Sequence, residues 1–415
     1  MPAPRPITIC TVDHVAERVY IHDPYVVTFG PDETSTDLWT LSNDGRALEH
    51  LKVLRPPQRS RRVAPIVDGQ RILVATLKRS FDAPELHIFD LHSGDLMRTL
   101  MLYGSPDDVR MPYSSALGLA LVGTRVVDEL PRVLVVDVAG NGWIEGVAHI
   151  PPDLRTSTDR LSPHFSAEHI TDGGNIICSY VPPLLPDVID HFTLMRWEGI
   201  PQESTLPTAR ADFPITLEDG DAMSISCCIP FLGGAVGPAL LIAACEGAAE
   251  TVYSCWSVVR AIDIRTLGTL WTAEPIWGTI RHLYHAVDAG VVLATGMYHT
   301  RDNAGKNIPL SIVAALDDQT GALRRLEHVN RSVQGVSVRL CAVSRGAVVI
   351  VFVNGEVSTT SMDDFLCEGL ARNADSQKVV TTRLWQNDGG KVVDVAITSS
   401  SVVVATQANL VVMYW

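Results

Sequence analysis

The chain has 415 residues, 46% hydrophobic and 19% charged, which is ample material for a large core and too few charges for disorder or a long coiled coil. Its 33 Lys and Arg face 47 Asp and Glu, a formal net charge of −14. With no basic run beyond Arg59-Ser60-Arg61-Arg62, it lacks an electrostatic footprint for phosphate backbones, so neither nucleic acid nor an anionic membrane is an expected partner. The longest apolar stretches, Pro238 to Cys245 and Ala347 to Val353, are too short to span a bilayer. Met1 to Pro6 has no apolar h-region, so no secretory signal is expected. The 8 cysteines include Cys10, Cys178, Cys245 and Cys341, each alone in an apolar run, and the pair Cys227-Cys228, with no C-x-x-C spacing. Buried free thiols in a reducing compartment, cytoplasmic or nuclear, fit that distribution.

In chain order the first element is an apolar run at Ile7 to Val12, followed by strand-and-turn texture with almost no helical periodicity. The clearest strand runs are Tyr25 to Phe29, Arg71 to Leu77, Arg132 to Val138, Asn175 to Tyr180, Ala239 to Cys245, Gly290 to Thr295, Ala347 to Val353 and Ser401 to Thr406. A tight turn precedes each: Asp23-Pro24, Asp68-Gly69, Gly123, Gly173-Gly174, Gly233-Gly234, Ala289-Gly290, Arg345-Gly346 and Ser399-Ser400. A second turn series interleaves with the first at Asn43-Asp44-Gly45, His92-Ser93-Gly94, Gly140-Asn141-Gly142, Trp197-Glu198-Gly199, Thr266-Leu267-Gly268, Gln319-Thr320-Gly321 and Met362-Asp363-Asp364. Two such series with a period of about 50 residues predict a repeated four-stranded meander. One short helix is predicted, over Asp363 to Asn373.

Several copies remain alike. Leu86 to Asp95, Val259 to Gly268 and Val313 to Ala322 each carry an apolar strand ending in Asp, then a Gly-containing turn. Asp90, Asp137, Asp263 and Asp317 occupy that strand end, where a carboxylate accepts backbone N–H groups and caps the turn. The pattern resembles the blade repeat of the WD40 and quinoprotein-like propeller superfamilies. The expected fold is all-β: a single closed β-propeller of about eight four-stranded blades, with seven as the alternative because the copy over Ser114 to Ile150 is the least clear. The blades are expected roughly at 18–53, 61–102, 114–150, 164–218, 222–275, 279–328, 335–386 and 391–415, the last completed by an N-terminal strand at 6–13.

In such a meander, successive connections alternate between the two ends of the ring. The short turns fall on one end, and the longer segments fall on the other: Leu54 to Arg62, Tyr103 to Ser115, Pro151 to Phe165, Val181 to Asp190, Glu246 to Ser257 and Tyr298 to Pro309. Long loops on a rigid scaffold are where binding concentrates. Tyr113, Arg155, Tyr180, Trp256, Tyr298 and Arg301 are therefore the candidate binding residues, being of the types that anchor interfaces.

Catalytic signatures are missing: there is no Gly-x-Ser-x-Gly and no His-Glu-x-x-His. No metal and no cofactor is expected. His164, His169, His282, His285 and His299 fall on predicted first or second strands, and His282 and His285 point to opposite faces there. Vicinal cysteines also occur in quinone-dependent alcohol dehydrogenases, which are propellers too. Here, however, Gly268 to Trp271 gives only Gly-x-x-Trp, so the Cys227-Cys228 pair reads as two small strand hydrophobes, with a vicinal disulfide left open.

The expected function is a non-catalytic protein-interaction propeller, a monomeric WD40-like scaffold or substrate-receptor module binding another protein through the long-loop end. Similar propellers follow F-box segments in ubiquitin-ligase receptors; no such segment precedes this one, so that role implies a partner chain or a longer parent. The alternative is an enzyme with an axial pocket at the same end (a lyase, isomerase, hydrolase or quinone-dependent oxidoreductase) using His164, Arg281 and His282.

Overall fold

The computed structural model describes residues 8–414 apart from 23, 31–35, 43–46, 55–65, 68–70, 77–84, 91, 102–112, 115–118, 128–129, 138–141, 148–150, 152–163, 172, 182–190, 202–204, 215–223, 232–238, 247–255, 302–306, 331–337, 345–346, 354–356, 369–381, 386–390 and 399. Among the described residues the strands form eight antiparallel sheets, so the count is eight blades and not seven. Blade 1 comprises Arg18–His22, Tyr25–Phe29, Thr36–Leu41 and Leu48–Leu54. Blade 2 has Ile66–Val67, Arg71–Thr76, Glu85–Asp90 and Leu96–Met101. Blade 3 has Tyr113–Ser114, Leu119–Val127, Leu130–Asp137 and Gly142–Val147. Blade 4 has His164–Ile170, Ile176–Val181, His191–Trp197 and Ala209–Pro214. Blade 5 has Ser224–Phe231, Ala239–Glu246, Trp256–Asp263 and Thr269–Thr272, with a short extra strand Ile276–Trp277 beside the third. Blade 6 has Thr279–Ala286, Val291–Arg301, Asn307–Asp317 and Leu323–Asn330. Blade 7 has Val338–Ser344, Ala347–Phe352, Val357–Ser361 and Thr382–Trp385. Blade 8 has Val392–Ile397, Ser401–Thr406 and Asn409–Tyr414, and takes its fourth strand, Thr8–Asp13, from the N-terminal end.

The middle strands explain the ring. Ser401–Thr406 is buried at every position, and Ile176, Ile177, Leu240, Leu241, Val291 and Val292 are all fully buried. A strand apolar on both faces needs a layer on each side, so every sheet must lie between two neighbours. The core is accordingly a series of sheet-to-sheet layers. Val27 and Leu38 of blade 1 meet Phe89 of blade 2. Val133 and Val135 of blade 3 meet Trp197 of blade 4, and Phe192 and Leu194 meet Leu240 and Ile242 of blade 5. Blades 5 and 6 join through Leu241, Trp271, Ile280 and Ile312, blades 6 and 7 through Leu293 and Ile350, and blades 7 and 8 through Val349 and Val404. Val403 and Val412 of blade 8 then pack on Val19 and Trp39 of blade 1. The outer strands have only one packed side: in Leu48–Leu54 just the two terminal leucines are buried.

Closure rests on Thr8–Asp13, which pairs in register from Thr8 opposite Tyr414 to Asp13 opposite Asn409. Val12 and Cys10 add their side chains to the layer between blades 8 and 1. A second tie crosses the same junction, where Asp394 of blade 8 accepts the Val19 backbone N–H at 3.0 Å.

The corners at Asp90, Asp263 and Asp317 form as the repeat predicts, and the turn after Asp137 lies outside the described residues. Asp263 Oδ1 accepts the N–H groups of Arg265 and Thr266, at 2.6 and 3.0 Å. Asp317 Oδ1 does the same for Gln319 and Thr320, and Asp90 for Ser93. Each chain turns back through a left-handed residue: Gly94, Gly321 and, in blade 5, Leu267 at φ 59. The left-handed position there precedes Gly268, so a buried leucine bears the backbone strain while its side chain fills the layer between blades 4 and 5.

Four expectations are corrected. Gly123 makes no turn; it lies inside Leu119–Val127, where the register with the third strand slips between Leu121 and Gly123. A strand glycine marked a bulge and not a corner. The Met362-Asp363-Asp364 turn is the start of a helix, Met362–Glu368, because Ser361 Oγ accepts the Asp364 N–H at 3.1 Å and donates to its carboxylate; the remainder of the predicted helix, 369–373, lies outside the described residues. The short-turn end is not uniformly short, since 198–208 in blade 4 and 362–381 in blade 7 join third to fourth strands there. Finally, Tyr298 to Pro309 is mostly strand, as described below. No helix among the described residues is long and apolar enough to cross a membrane.

Removing residues 1–13 leaves the Asn409–Tyr414 edge unpaired and uncovers the layer against blade 1. The truncated protein is expected to lose about 3 kcal/mol in urea unfolding and to aggregate on its free edge. Unchanged unfolding would show that closure does not depend on this strand. A second expectation concerns Asp317, whose carboxyl is held down at about 2 from 3.8, first by the Arg324 side chain and then by Thr320 and the turn N–H groups. A depressed carboxylate stabilises above its unfolded value and loses that contribution as pH falls through about 2. Arg324→Ala is therefore expected to cost under about 1 kcal/mol near neutrality, this pair being largely exposed, with the difference from the parent protein vanishing by about pH 2.

Candidate functional site

Because the strands run antiparallel, connections between second and third strands share one end of the ring with the blade-to-blade connections. Among the described residues, that end is best defined over blades 5 and 6. Two devices shape it.

The first is an aromatic shelf. The connection from blade 5 to blade 6 runs through Ile276–Trp277, which pairs with the beginning of blade 5's third strand: Trp277 lies opposite Trp256 and Ile276 opposite Ser257. Strand alternation sends Ile276 inward, 1% exposed in the layer between the two blades, and Trp277 outward, 52% exposed. The Trp256 and Trp277 rings meet edge to face, centroids 5.6 Å apart and planes at 79°, a geometry aromatic quadrupoles favour. The backbone beneath is pinned. Ser257 Oγ donates to the Gly278 carbonyl and accepts the Ile280 N–H, both at 2.9 Å. Gly278 sits at φ +105, and a Cβ there would lie 2.5 Å from the Met297 carbonyl oxygen and 3.0 Å from Tyr298 Cα. Only glycine allows this close approach.

The second device is a projecting hairpin. The second and third strands of blade 6 each run 11 residues and pair without a break from Val291 opposite Asp317 to Arg301 opposite Asn307. The first strand reaches only Met297 and the fourth only Leu310. The arms therefore continue past the body of the blade, next to the shelf.

The candidate binding residues distribute unevenly around this arrangement. Trp256 belongs to the shelf. Tyr298 lies in the projecting arm and packs, partly buried, on the layer between blades 5 and 6. Arg301 ends the same arm, so both are strand residues where a loop was predicted. Tyr180 is 3% exposed, packed between blades 3 and 4. Tyr113 begins the first strand of blade 3, and Arg155 lies outside the described residues. Trp277 was missed from sequence; its signal was an aromatic residue directly before a glycine.

Of the residues named for an axial enzyme site, His164 stands two blades away from Arg281 and His282. His164 begins the first strand of blade 4, whereas Arg281 and His282 lie exposed on that of blade 6. First strands carry a repeated bulge, with the register to the second strand slipping at Glu168, Ser226, Arg281, Arg339 and Val393. Such bulges re-aim side chains. One of them leaves a carboxylate in the interior: Glu168, 5% exposed, accepts the Ser179 hydroxyl at 2.6 Å. His285 is buried at the other end of its strand, 3.1 Å from Asp318. The Cys178 and Cys341 thiols are pushed up by burial, Cys341 to about 12, which makes poor nucleophiles of them. Among the described residues, no group of three or more His, Cys, Asp or Glu is arranged to hold a metal ion.

Exposure and strain separate the two shelf residues energetically. Trp277→Ala is expected to change urea stability by under about 1 kcal/mol. Gly278→Ala, which forces a side chain onto backbone at positive φ, is expected to cost about 3 kcal/mol. Equal losses would mean the shelf is part of the core.

No protein-family model matches the chain, and no match was found among curated proteins. Solved structures do resemble it. The Dos1 propeller superposes over 99% of this chain and 94% of its own at a TM-score of 0.57 and 8% identity. Saccharomyces cerevisiae Sqt1 superposes over 100% of both chains at a TM-score of 0.57 and 11% identity. At such identities the likeness speaks for architecture alone, and on that level the conclusion is plain: the chain is a β-propeller.

Proposed function

We propose that this propeller is a non-catalytic, monomeric protein-interaction module of the cytoplasm or nucleus, and that it engages another protein through the end bearing the long connections. One observation carries the reading. Trp277 is the single aromatic side chain among the exposed large apolar residues described, and it stands on this end. A half-exposed tryptophan is of the residue type most enriched in binding hot spots, and a rigid base keeps its ordering entropy low on association. The projecting blade 6 hairpin beside it supplies a wall.

Position-specific crosslinking tests the proposal. A photoreactive residue is placed at 277, and a second at Val287, which is 51% exposed in the turn between the first and second strands of blade 6, at the opposite end. In extract of the native cell, a discrete adduct is expected from position 277 and not from 287. Adducts confined to 287, or none from 277, would reject the long-loop end as the docking surface.

A further inference from the structure

We propose that the seam between blades 8 and 1 is an acid-sensitive latch, in which protonation of His14 frees the segment joining the closing strand to blade 1. His14 follows Thr8–Asp13 directly and leads into Arg18–His22, so it stands where the ring is zipped shut. Its Nε2 lies 2.9 Å from Thr28 Oγ1, and the same oxygen accepts the Trp39 indole N–H at 3.0 Å. Thr28 is 0% exposed. The indole can only donate, so the single hydroxyl proton of Thr28 goes to His14 Nε2. The network therefore assigns His14 the neutral form, with its proton on Nδ1. A proton added at Nε2 turns this acceptor into a donor, and the buried hydroxyl proton loses its partner. The attachment continues through Ala16, 1% exposed in the layer between the two blades, and through the Glu17 N–H, 2.7 Å from the Phe29 carbonyl.

The surroundings oppose a charge on this ring. His14 and His50 both meet Trp39 edge to face, with centroids 4.8 and 4.7 Å away, and Trp39 is buried in the layer between blades 8 and 1. Asp37 is shared between the two imidazoles: Oδ1 lies 2.9 Å from His50 Nε2, and Oδ2 lies 3.9 Å from His14 Nε2. Two protonated rings beside one carboxylate repel each other. The closing strand brings Cys10 and Asp13 to the seam, and Glu17 lies on the joining segment itself. Blade 8 brings Asp394, which accepts the Val19 N–H and pairs with Arg18 at 3.8 Å. Burial above all holds His14 below its ordinary 6.5, with Asp37 opposing that shift and His50 adding to it. Opened to water, the ring titrates near about 6.5. Below that pH the open seam takes a proton that the closed seam does not. Closure therefore weakens as pH falls, until the closed form is protonated too.

Amide hydrogen exchange on the whole chain tests the latch, read by mass spectrometry over the paired strands Thr8–Asp13 and Asn409–Tyr414. Rates are corrected for the intrinsic pH dependence of exchange. From about pH 7.5 down to about pH 5, the opening constant of this pair is expected to rise by up to about tenfold per pH unit below about 6.5. His14→Gln keeps a side-chain carbonyl to accept the Thr28 hydroxyl but does not titrate, and its opening constant is expected to stay flat over that range. An opening constant independent of pH in the parent protein, or a rise that survives in His14→Gln, overturns the latch. If His14→Gln does not fold, the His14 ring resonance of the parent, assigned by its contacts to Thr28 and Trp39, decides the matter. A midpoint below about 6.5 supports the latch, and one at or above that value overturns it.

Discussion

Everything in this molecule follows from sheets that are apolar on both faces. A strand such as Ser401–Thr406, buried throughout, has no stable arrangement as the outer layer of a two-layer fold; it must be covered twice. Eight such sheets satisfy one another only by closing on themselves, and the closure must deal with the first and last copies. The chain does so by dividing blade 8 between its two ends, with Thr8–Asp13 zipped along Asn409–Tyr414. Local sheet formation is thereby made dependent on contacts between residues about four hundred positions apart, the Val19 to Asp394 hydrogen bond among them. The long separation makes closure slow to form, since the loop entropy is lost before the contact is gained.

The same constraint explains which features were legible in the sequence. Corners repeat because each sheet must reverse direction at the same height, so Asp90, Asp263 and Asp317 recur with their backbone partners three residues on or fewer. Those residues reveal the period and hence the fold class. What composition cannot separate is a glycine that turns the chain from a glycine that bulges a strand. Gly123 is of the second kind, and Leu267 shows the converse, a left-handed corner without glycine because its side chain is worth more in the layer. Likewise Met362-Asp363-Asp364 has turn composition, and only the Ser361 to Asp364 cap makes it a helix.

The candidate site was legible in part, and for a related reason. Trp256 and Tyr298 stood out as interface-type residues at the long-connection end, and both belong to the region over blades 5 and 6. Tyr180 has the same chemistry and the same predicted place, but its side chain is turned into the layer between blades 3 and 4. Residue type cannot choose between those outcomes, because the direction of a strand side chain depends on register, and one residue of slip reverses it. Trp277 escaped notice since its exposure depends on a pairing between the blade connection and blade 5, a contact no local pattern announces.

The histidines show the opposite case, in which chemistry suggestive in sequence is spent on structure. His285 is buried against Asp318, whose backbone carbonyl also accepts the Trp271 indole N–H at 2.8 Å. Trp271 in turn lies where a Cβ on Gly321 would come within 2.5 Å of its ring. These contacts lock blade 5 to blade 6 at the end away from the shelf, as Ser257 and Gly278 lock them at the shelf itself. Two locks on one blade interface hold the projecting hairpin and the Trp256–Trp277 pair in fixed relation. An exposed indole on a soft base would be drawn into the nearest apolar gap. On a base tied at both ends it stays outside.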